Sequence, residues 1–215
     1  MRAGRLLVLL VPAALAACGC TRSVDGVATA AEVTATPASA SDLEALIVAE
    51  VPSGLARLPD DDLHPPAGAK TVDDVAAYAD DPYREREVLE DYGYRYGWER
   101  FWGNANGSGP VTGVFVDQFE HRAGAGAYAA DLARNDTEHY RGMLRQDPAG
   151  LPGNCWSLTV DDPDPDLGLG GPAAFAWCGH GVFSVAVTAV SDSVDAAEAE
   201  VREVVARQLE LLPPR

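Results

Sequence analysis

Four stretches of the chain have the composition of β-strands, and in most of them apolar and polar residues alternate with a period of two. They cover residues 94–102, 111–120, 155–160 and 174–190. Gly179-His180-Gly181 interrupts the last stretch near its middle. A glycine-containing break between two alternating runs is typical of a β-hairpin, so we predict one at this position.

Other stretches repeat apolar residues every three or four positions, which is the spacing of an amphipathic helix. The predicted helices cover residues 41–49, 72–80, 82–92, 124–134 and 192–212. Ser41 with Glu44, and Thr71 with Asp74, have the spacing of a capping box, and Gly93 is placed to end the third helix. Helices mixed with hairpin-joined strands predict an α+β fold: a mostly antiparallel sheet with helices packed on one face, closed by a C-terminal helix.

The beginning of the chain has the order of a bacterial lipoprotein signal. A basic start, a short apolar run and small residues precede Cys18: Arg2, Arg5, residues 6–14 and Leu15-Ala16-Ala17. We therefore expect a signal peptide over residues 1–17 and acyl chains, such as palmitate, on Cys18. The alternative is a plain secretory signal that is cleaved nearby, with Cys18 incidental.

The composition after Cys18 separates a tether from a domain. Residues 19–41 are rich in Ala, Thr, Ser, Gly and Val and contain no aromatic residue, so they bury too little apolar surface to order themselves. We expect residues 18–40 to form a lipidated cysteine followed by a flexible tether, and residues 41–215 to form a single domain.

The net charge of the chain limits the classes of partner that this domain can bind. Removing residues 1–17 leaves 14 basic against 33 acidic residues, a formal charge of −19. Nucleic acid is disfavoured as a partner, and attachment to a cell membrane must come from acyl chains rather than from a basic patch. No later apolar run approaches about twenty residues, so we expect a lipid-anchored protein on the extracytoplasmic face.

The cysteines fit an oxidising compartment. With Cys18 lipidated, Cys155 and Cys178 are the two inside the predicted domain, and we expect a disulfide between them. Two buried free thiols are the alternative. Cys20 has no evident partner.

Several motifs together resemble small actinobacterial envelope lipoproteins of unassigned function. They are the lipobox, the polar tether, the helix that ends at Gly93-Tyr94, the aromatic strand through Gly97, Arg100 and Trp102, and the run 114–132. Cys155-Trp156, Cys178-Gly179, an apolar strand and a final helix are similar to the extracellular sensor domains of mycobacterial receptor Ser/Thr kinases. Those domains hold two disulfides around a cleft, whereas this domain can form one. The resemblance implies a binding domain with a related α+β fold.

The aromatic strand supplies the candidate ligand-binding residues. Tyr94, Tyr96, Trp98 and Trp102 share one parity, and Arg100 lies among them. An aromatic stripe of this kind suits a ligand wall, with the arginine for an anionic group. The competing interpretation is a strand that faces the core, because a sheet covered by helices needs large residues there.

The rest of the sequence contains only weak matches to metal-binding, cofactor-binding and catalytic motifs. Alternating carboxylates over residues 161–166 start like a calcium loop but lack its glycine and closing glutamate, so we expect no metal site. Gly124 to Ala129 match a dinucleotide pattern in the wrong context, and we expect no cofactor. Asp117, Glu120 and His121, or His139, are the positions where an envelope hydrolase would place its acid and base.

These observations predict a non-catalytic ligand-binding or sensor-like domain that binds an unknown small ligand or an envelope protein. The alternatives are a structural or adaptor lipoprotein and, less favoured, the hydrolase. An adaptor would use the polar parity of the strands, represented by Ser157, Thr159, Ser184 and Thr188, as its contact surface.

Overall fold

The structure, a computed structural model, describes residues 36–104 and 109–213. The predicted signal peptide, Cys18 and most of the predicted tether lie outside these residues. No helix among the described residues has the length and apolar character needed to cross a membrane.

Five helices and seven strands make up the described chain. The helices are α1 Ala40–Glu44, α2 Val72–Ala76, α3 Pro82–Tyr92, α4 Arg122–Tyr140 and α5 Val194–Leu211. The strands are β1 Gly68–Lys70, β2 Tyr94–Gly103, β3 Val111–Phe119, β4 Met143–Gln146, β5 Cys155–Val160, β6 Ala173–His180 and β7 Phe183–Val190. Short 3-10 turns cover Asp60–Asp62 and Pro165–Leu167.

All seven strands form one antiparallel sheet in the order β1-β2-β3-β7-β6-β5-β4. The predicted α+β class, the antiparallel sheet, the hairpin of β6 and β7 and the closing helix are confirmed. The two edge strands, β1 and β4, were not predicted from the alternation, because three or four residues are too few to show it.

Helices cover both faces of the sheet, so the expectation that they pack on one face is wrong. On one face Ala129 and Ala133 of α4 pack with Phe175 and Trp177 of β6. On the other face α5 packs against the alternate strand residues, among them Ala174, Ala176, Val185 and Val187. Successive strand residues point to opposite faces, so both parities of β6 are buried between helices.

A bulge divides the predicted aromatic stripe between these two faces. The pairing of β2 with β3 shifts by one residue between Tyr94 and Tyr96. Tyr94 therefore lies opposite Phe119 on the α4 face, where the two rings meet edge to face at 5.5 Å. Tyr96, Trp98 and the residues in step with them face α1 and α5. The prediction of a one-sided stripe is therefore wrong. One extra residue in a strand reverses the face of the sheet to which the following side chains point.

Capping residues explain where the helices begin and end. Thr71 accepts the Asp74 backbone N–H and forms the predicted capping box of α2. Gly93 ends α3 in the left-handed conformation at φ 76°, also as predicted. The first cap is corrected: Ser39 with Asp42, not Ser41 with Glu44, starts α1.

The chain is held to the sheet from Pro37 onward. The Pro37 carbonyl accepts hydrogen bonds from the Tyr96 hydroxyl at 2.7 Å and the Gln118 amide at 3.1 Å. Farther on, Gln208 of α5 bonds both the Leu46 carbonyl and the Val48 amide, at 2.7 and 3.0 Å. The predicted domain boundary at residue 41 stays a prediction, but contacts with the sheet begin four residues earlier.

The predicted disulfide between Cys155 and Cys178 is confirmed, and it joins directly opposed residues of β5 and β6 beneath α5. The predicted polar face is not a single surface. Ser157 and Thr159 are in step with the cysteines, whereas Ser184 and Thr188 lie on the α4 face, and Ser184 is buried. The sheet therefore offers no continuous polar face for an adaptor contact.

Candidate functional site

Three charged side chains are buried together on the α4 face of β1, β2 and β3: Lys70, Glu99 and Asp117. Lys70 pairs across the sheet with Gly97, and Gly97 pairs in turn with Asp117. Glu99 is two residues farther along β2 and points to the same face. Charged groups are rarely buried without partners, so this cluster needs a physical account.

Lys70 and Glu99 form a buried ion pair. The Lys70 ammonium lies 3.1 Å from Glu99 Oε2, and both side chains are less than one-tenth exposed. Lys70 also donates to the Pro66 carbonyl at 2.5 Å and to the Tyr78 hydroxyl at 2.7 Å. That hydroxyl lies 3.0 Å from each oxygen of Glu99, to which it donates. The three ammonium protons are thereby used, while Glu99 keeps lone pairs free.

Asp117 forms no ion pair of this kind with any residue that the structure describes. Burial, and then the negative charge of Glu99, raise the pKa of its carboxyl from 3.8 to about 7. Burial and the Asp117 charge also raise the pKa of the Tyr94 phenol above its usual range. The Tyr94 hydroxyl lies beside Asp117 but makes no well-aligned hydrogen bond within the described residues.

Gly97 is what allows this arrangement. A Cβ built on it would lie 2.2 Å from Asp117 Oδ1 and 2.7 Å from the Tyr94 hydroxyl. Both polar groups therefore occupy the space that a side chain at position 97 would fill. The bulge that turns Tyr94 to this face completes the cluster.

The cluster is electrostatically incomplete. It contains two carboxyls, and Lys70 is the cation that the described residues place against both. Burial raises the pKa of Glu99 even though Lys70 acts in the opposite direction. Above about pH 7, where Asp117 ionises, the cluster carries one negative charge in excess.

Glu99 also lines an open cleft of about 290 Å³. The remaining walls are Leu63, His64, Pro65, Tyr78, Phe101 and Phe115. Phe101 and Phe115 meet edge to face at 5.3 Å. Mostly apolar walls with a small number of oriented polar groups are typical of small-molecule sites. This cleft, with Glu99 as its carboxylate, is the candidate site.

The predicted ligand-wall residues lie elsewhere. Trp98 and Trp102 are buried in the core with α1 and α5, and Tyr96 packs against the same core. Arg100 is also buried and donates to the backbone carbonyls of Ile47 and Val48. Tyr94 contributes to the buried cluster through its hydroxyl. None of the five lines the cleft of Glu99, so their positions favour the core-facing interpretation.

The residues of the hydrolase alternative are separated. Asp117 is buried in the cluster, whereas Glu120 and His121 are exposed and face each other at 4.0 Å. His139 lies on α4 against the ring of Tyr140. No group of three or more His, Cys, Asp or Glu in residues 36–104 and 109–213 is placed to hold a metal ion.

Sequence reasoning missed Lys70, Tyr78 and Glu99, and it considered Asp117 only as a strand-end acid. The available signal was a charged residue among the aromatic residues of a strand, as at Glu99 between Trp98 and Phe101. That signal marks a buried charge, but its partners come from other strands and from the segment after α2.

Comparison with solved structures gives a weak likeness. The chain is similar to the extracellular domain of PknH from Mycobacterium tuberculosis, at a TM-score of 0.41 and 12% identity, over 67% of this chain and 78% of that one. No protein-family model and no curated protein matches the chain. A likeness this weak carries no argument about function, which rests on the site itself.

Proposed function

We propose that this protein is a non-catalytic, extracytoplasmic binding protein whose Glu99 cleft takes a small ligand with an apolar body and a cationic group. The observation that supports it is that Glu99 lines an aromatic-walled cleft and that Lys70 and Tyr78 fix its buried carboxylate. Fixed polar groups in apolar surroundings are suited to orienting a ligand.

The charge of the cluster favours a cation. Lys70 offsets one of two carboxyls, so a ligand ammonium at Glu99 would supply the missing positive charge. It would also interact with aromatic rings at Tyr78, Phe101 and Phe115, whose faces attract cations. An anionic ligand would meet the Glu99 carboxylate directly and would be repelled.

Glu99→Gln tests this proposal with benzylammonium as the probe and neutral benzyl alcohol as its comparison. Titrations followed by NMR at pH 8 should show that the wild type binds benzylammonium more tightly than it binds benzyl alcohol. The substitution should weaken benzylammonium binding by at least about tenfold, because a hydrogen bond to a charged group contributes about 1.5–3 kcal/mol.

Glu200→Gln is the matched control for this titration. Glu200 is also buried and accepts hydrogen bonds from Ser53 and Thr112, but it lies on α5, away from the cleft. It should leave benzylammonium binding unchanged. The proposal fails if Glu99→Gln binds the probe as well as the wild type does, or if both substitutions weaken binding equally.

We also propose that acyl chains on Cys18 hold this domain at the cell membrane. The lipobox supports the proposal, and the acidic chain has no basic patch that would replace it. Binding at the membrane surface would expose the cleft to small molecules of the envelope.

Cys18→Ser tests the anchor. The wild-type chain should partition into the detergent phase of Triton X-114 and be labelled by radioactive palmitate. The variant should move to the aqueous phase without label, because one serine in place of cysteine removes the acylated thiol. Cys20→Ser is the control and should remain membrane-bound. Detergent partition of Cys18→Ser would contradict the proposed anchor.

A further inference from the structure

A second cleft lies at the opposite end of the sheet from β1, where the first turns of α4 approach the ends of β4, β5 and β6. It measures about 390 Å³. Its lining includes Arg122 and Gly126 of α4, Gln146, Asn154, Trp156 and Gly179. None of these residues lines the cleft of Glu99, so the two sites are separate.

Arg122 is one of three arginines, with Arg95 and Arg141, that form no ion pair within the described residues. The chain carries a formal charge of −17, and eight other arginines of the described chain form ion pairs with acidic residues. Arg122 is exposed at the cleft and forms none with the described residues. A guanidinium left unpaired on an acidic protein is available to a carboxylate from outside.

Gly126 keeps the cleft open without a packing reason. At Gly124, two residues earlier, a Cβ would lie 1.9 Å from the Tyr92 carbonyl oxygen, so close packing requires glycine there. At Gly126 a Cβ would meet nothing within 4 Å. Glycine in a helix interior is less favourable than alanine. The structure thus retains a destabilising residue where its effect is to leave the cleft wall bare.

The rest of the lining is suited to a sugar. Trp156 is half-buried and contributes an indole ring to the cleft. Gln146 and Asn154 bring side-chain amides, which both donate and accept hydrogen bonds. Asp147 also lines the cleft, and its carboxylate accepts the Asn154 backbone N–H at 2.8 Å, which fixes the loop that carries this amide. An aromatic ring beside amides matches a pyranose, whose faces are apolar and whose edge carries hydroxyls.

We propose that this second cleft binds a saccharide that carries a carboxylate, with Trp156 against the sugar ring and Arg122 on the carboxylate. This goes beyond the proposed function, because it assigns a separate site and a ligand of opposite charge. The two sites would allow the domain to hold an acidic glycan and a cationic small molecule independently.

The test is isothermal titration with a hyaluronan tetrasaccharide, which alternates glucuronate with N-acetylglucosamine, against neutral tetra-N-acetylchitotetraose. The full chain should bind the acidic tetrasaccharide at least about tenfold more tightly, because a charge-assisted pair separates the two. Arg122→Gln should remove that preference. Gly126→Leu should abolish binding of both sugars by filling the cleft, without lowering the melting temperature.

Arg84→Gln is the control, since Arg84 is an exposed arginine on α3, away from the cleft, and should leave binding unchanged. Equal affinity for the two tetrasaccharides, no binding of either, or acidic-sugar binding that survives both Arg122→Gln and Gly126→Leu would overturn the proposal. Because Gly126→Leu is expected to fold, loss of binding in that variant cannot be assigned to unfolding when the melting temperature is retained.

Discussion

Lys70→Met should lower the free energy of unfolding by about 3–5 kcal/mol, because it leaves two buried carboxyls without the cation that faces both. The loss should be larger at pH 8 than at pH 5. At pH 5 Asp117, with its pKa near 7, already carries a proton, so fewer negative charges are left unpaired. Urea denaturation at the two pH values measures both effects.

Arg145→Met is the matched control for this substitution. Arg145 and Glu198 are also 3.1 Å apart, but both side chains are substantially exposed, so breaking the pair should cost less than about 1 kcal/mol. Adding Glu99→Gln to Lys70→Met should recover part of the lost stability. Equal losses from the buried and the exposed pair would contradict the account of the cluster.

Asp117→Asn should change how stability depends on pH. The carboxyl has a pKa of about 7 when folded and an ordinary value of 3.8, so the unfolded chain releases this proton at lower pH than the folded protein does. Ionised Asp117 therefore destabilises the fold. Its contribution to the free energy of unfolding falls as pH rises from about 4 to about 7 and is constant above that.

Asparagine has no ionisable group in this pH range. The free energy of unfolding of the variant should therefore rise relative to that of the wild type between about pH 4 and pH 7. Three pKa units correspond to on the order of 4 kcal/mol between pH 4 and pH 8. Glu120→Gln, at an exposed neighbouring carboxyl, should give a curve parallel to that of the wild type. The interpretation of Asp117 is wrong if the Asp117→Asn curve is also parallel.

The parts of the fold that the sequence predicts are those with a long enough local period. Strands β2, β3, β5 and β7 show alternation, β6 is a continuous apolar run, and helices α3 and α5 have helical spacing. Strand β1 has three residues and β4 has four, mostly exposed, so they are ordered by pairing with a neighbour rather than by their own pattern. Tertiary pairing of this kind leaves little local signal.

The two-sided sheet did have a signal in the sequence. Residues 173–178 are continuously apolar, as expected of a strand that is buried on both faces, and all six are buried. The large aromatic residues share one parity and therefore indicate the burial of only one face. The small residues Ala173, Ala174 and Ala176 equally require burial, because helices lie close against them on both sides.

The candidate site was harder to predict because its members are distant in the chain. Lys70, Glu99 and Asp117 come together only through the register of three strands, and Tyr78 reaches them from the segment after α2. The bulge before Tyr96 then decides that Tyr94 joins them. A shift of one residue reverses a strand's faces, and alternation alone does not reveal where such a shift occurs.

The most direct test of the proposed function is native mass spectrometry of the full chain extracted in mild detergent from its own envelope, as wild type, Glu99→Gln and Glu200→Gln. We expect an added mass on the wild type and on Glu200→Gln that fragments to an amine-containing small molecule. This added mass should be missing from Glu99→Gln. A wild-type chain with no added mass, or the same mass retained by Glu99→Gln, would contradict a cationic ligand in the Glu99 cleft.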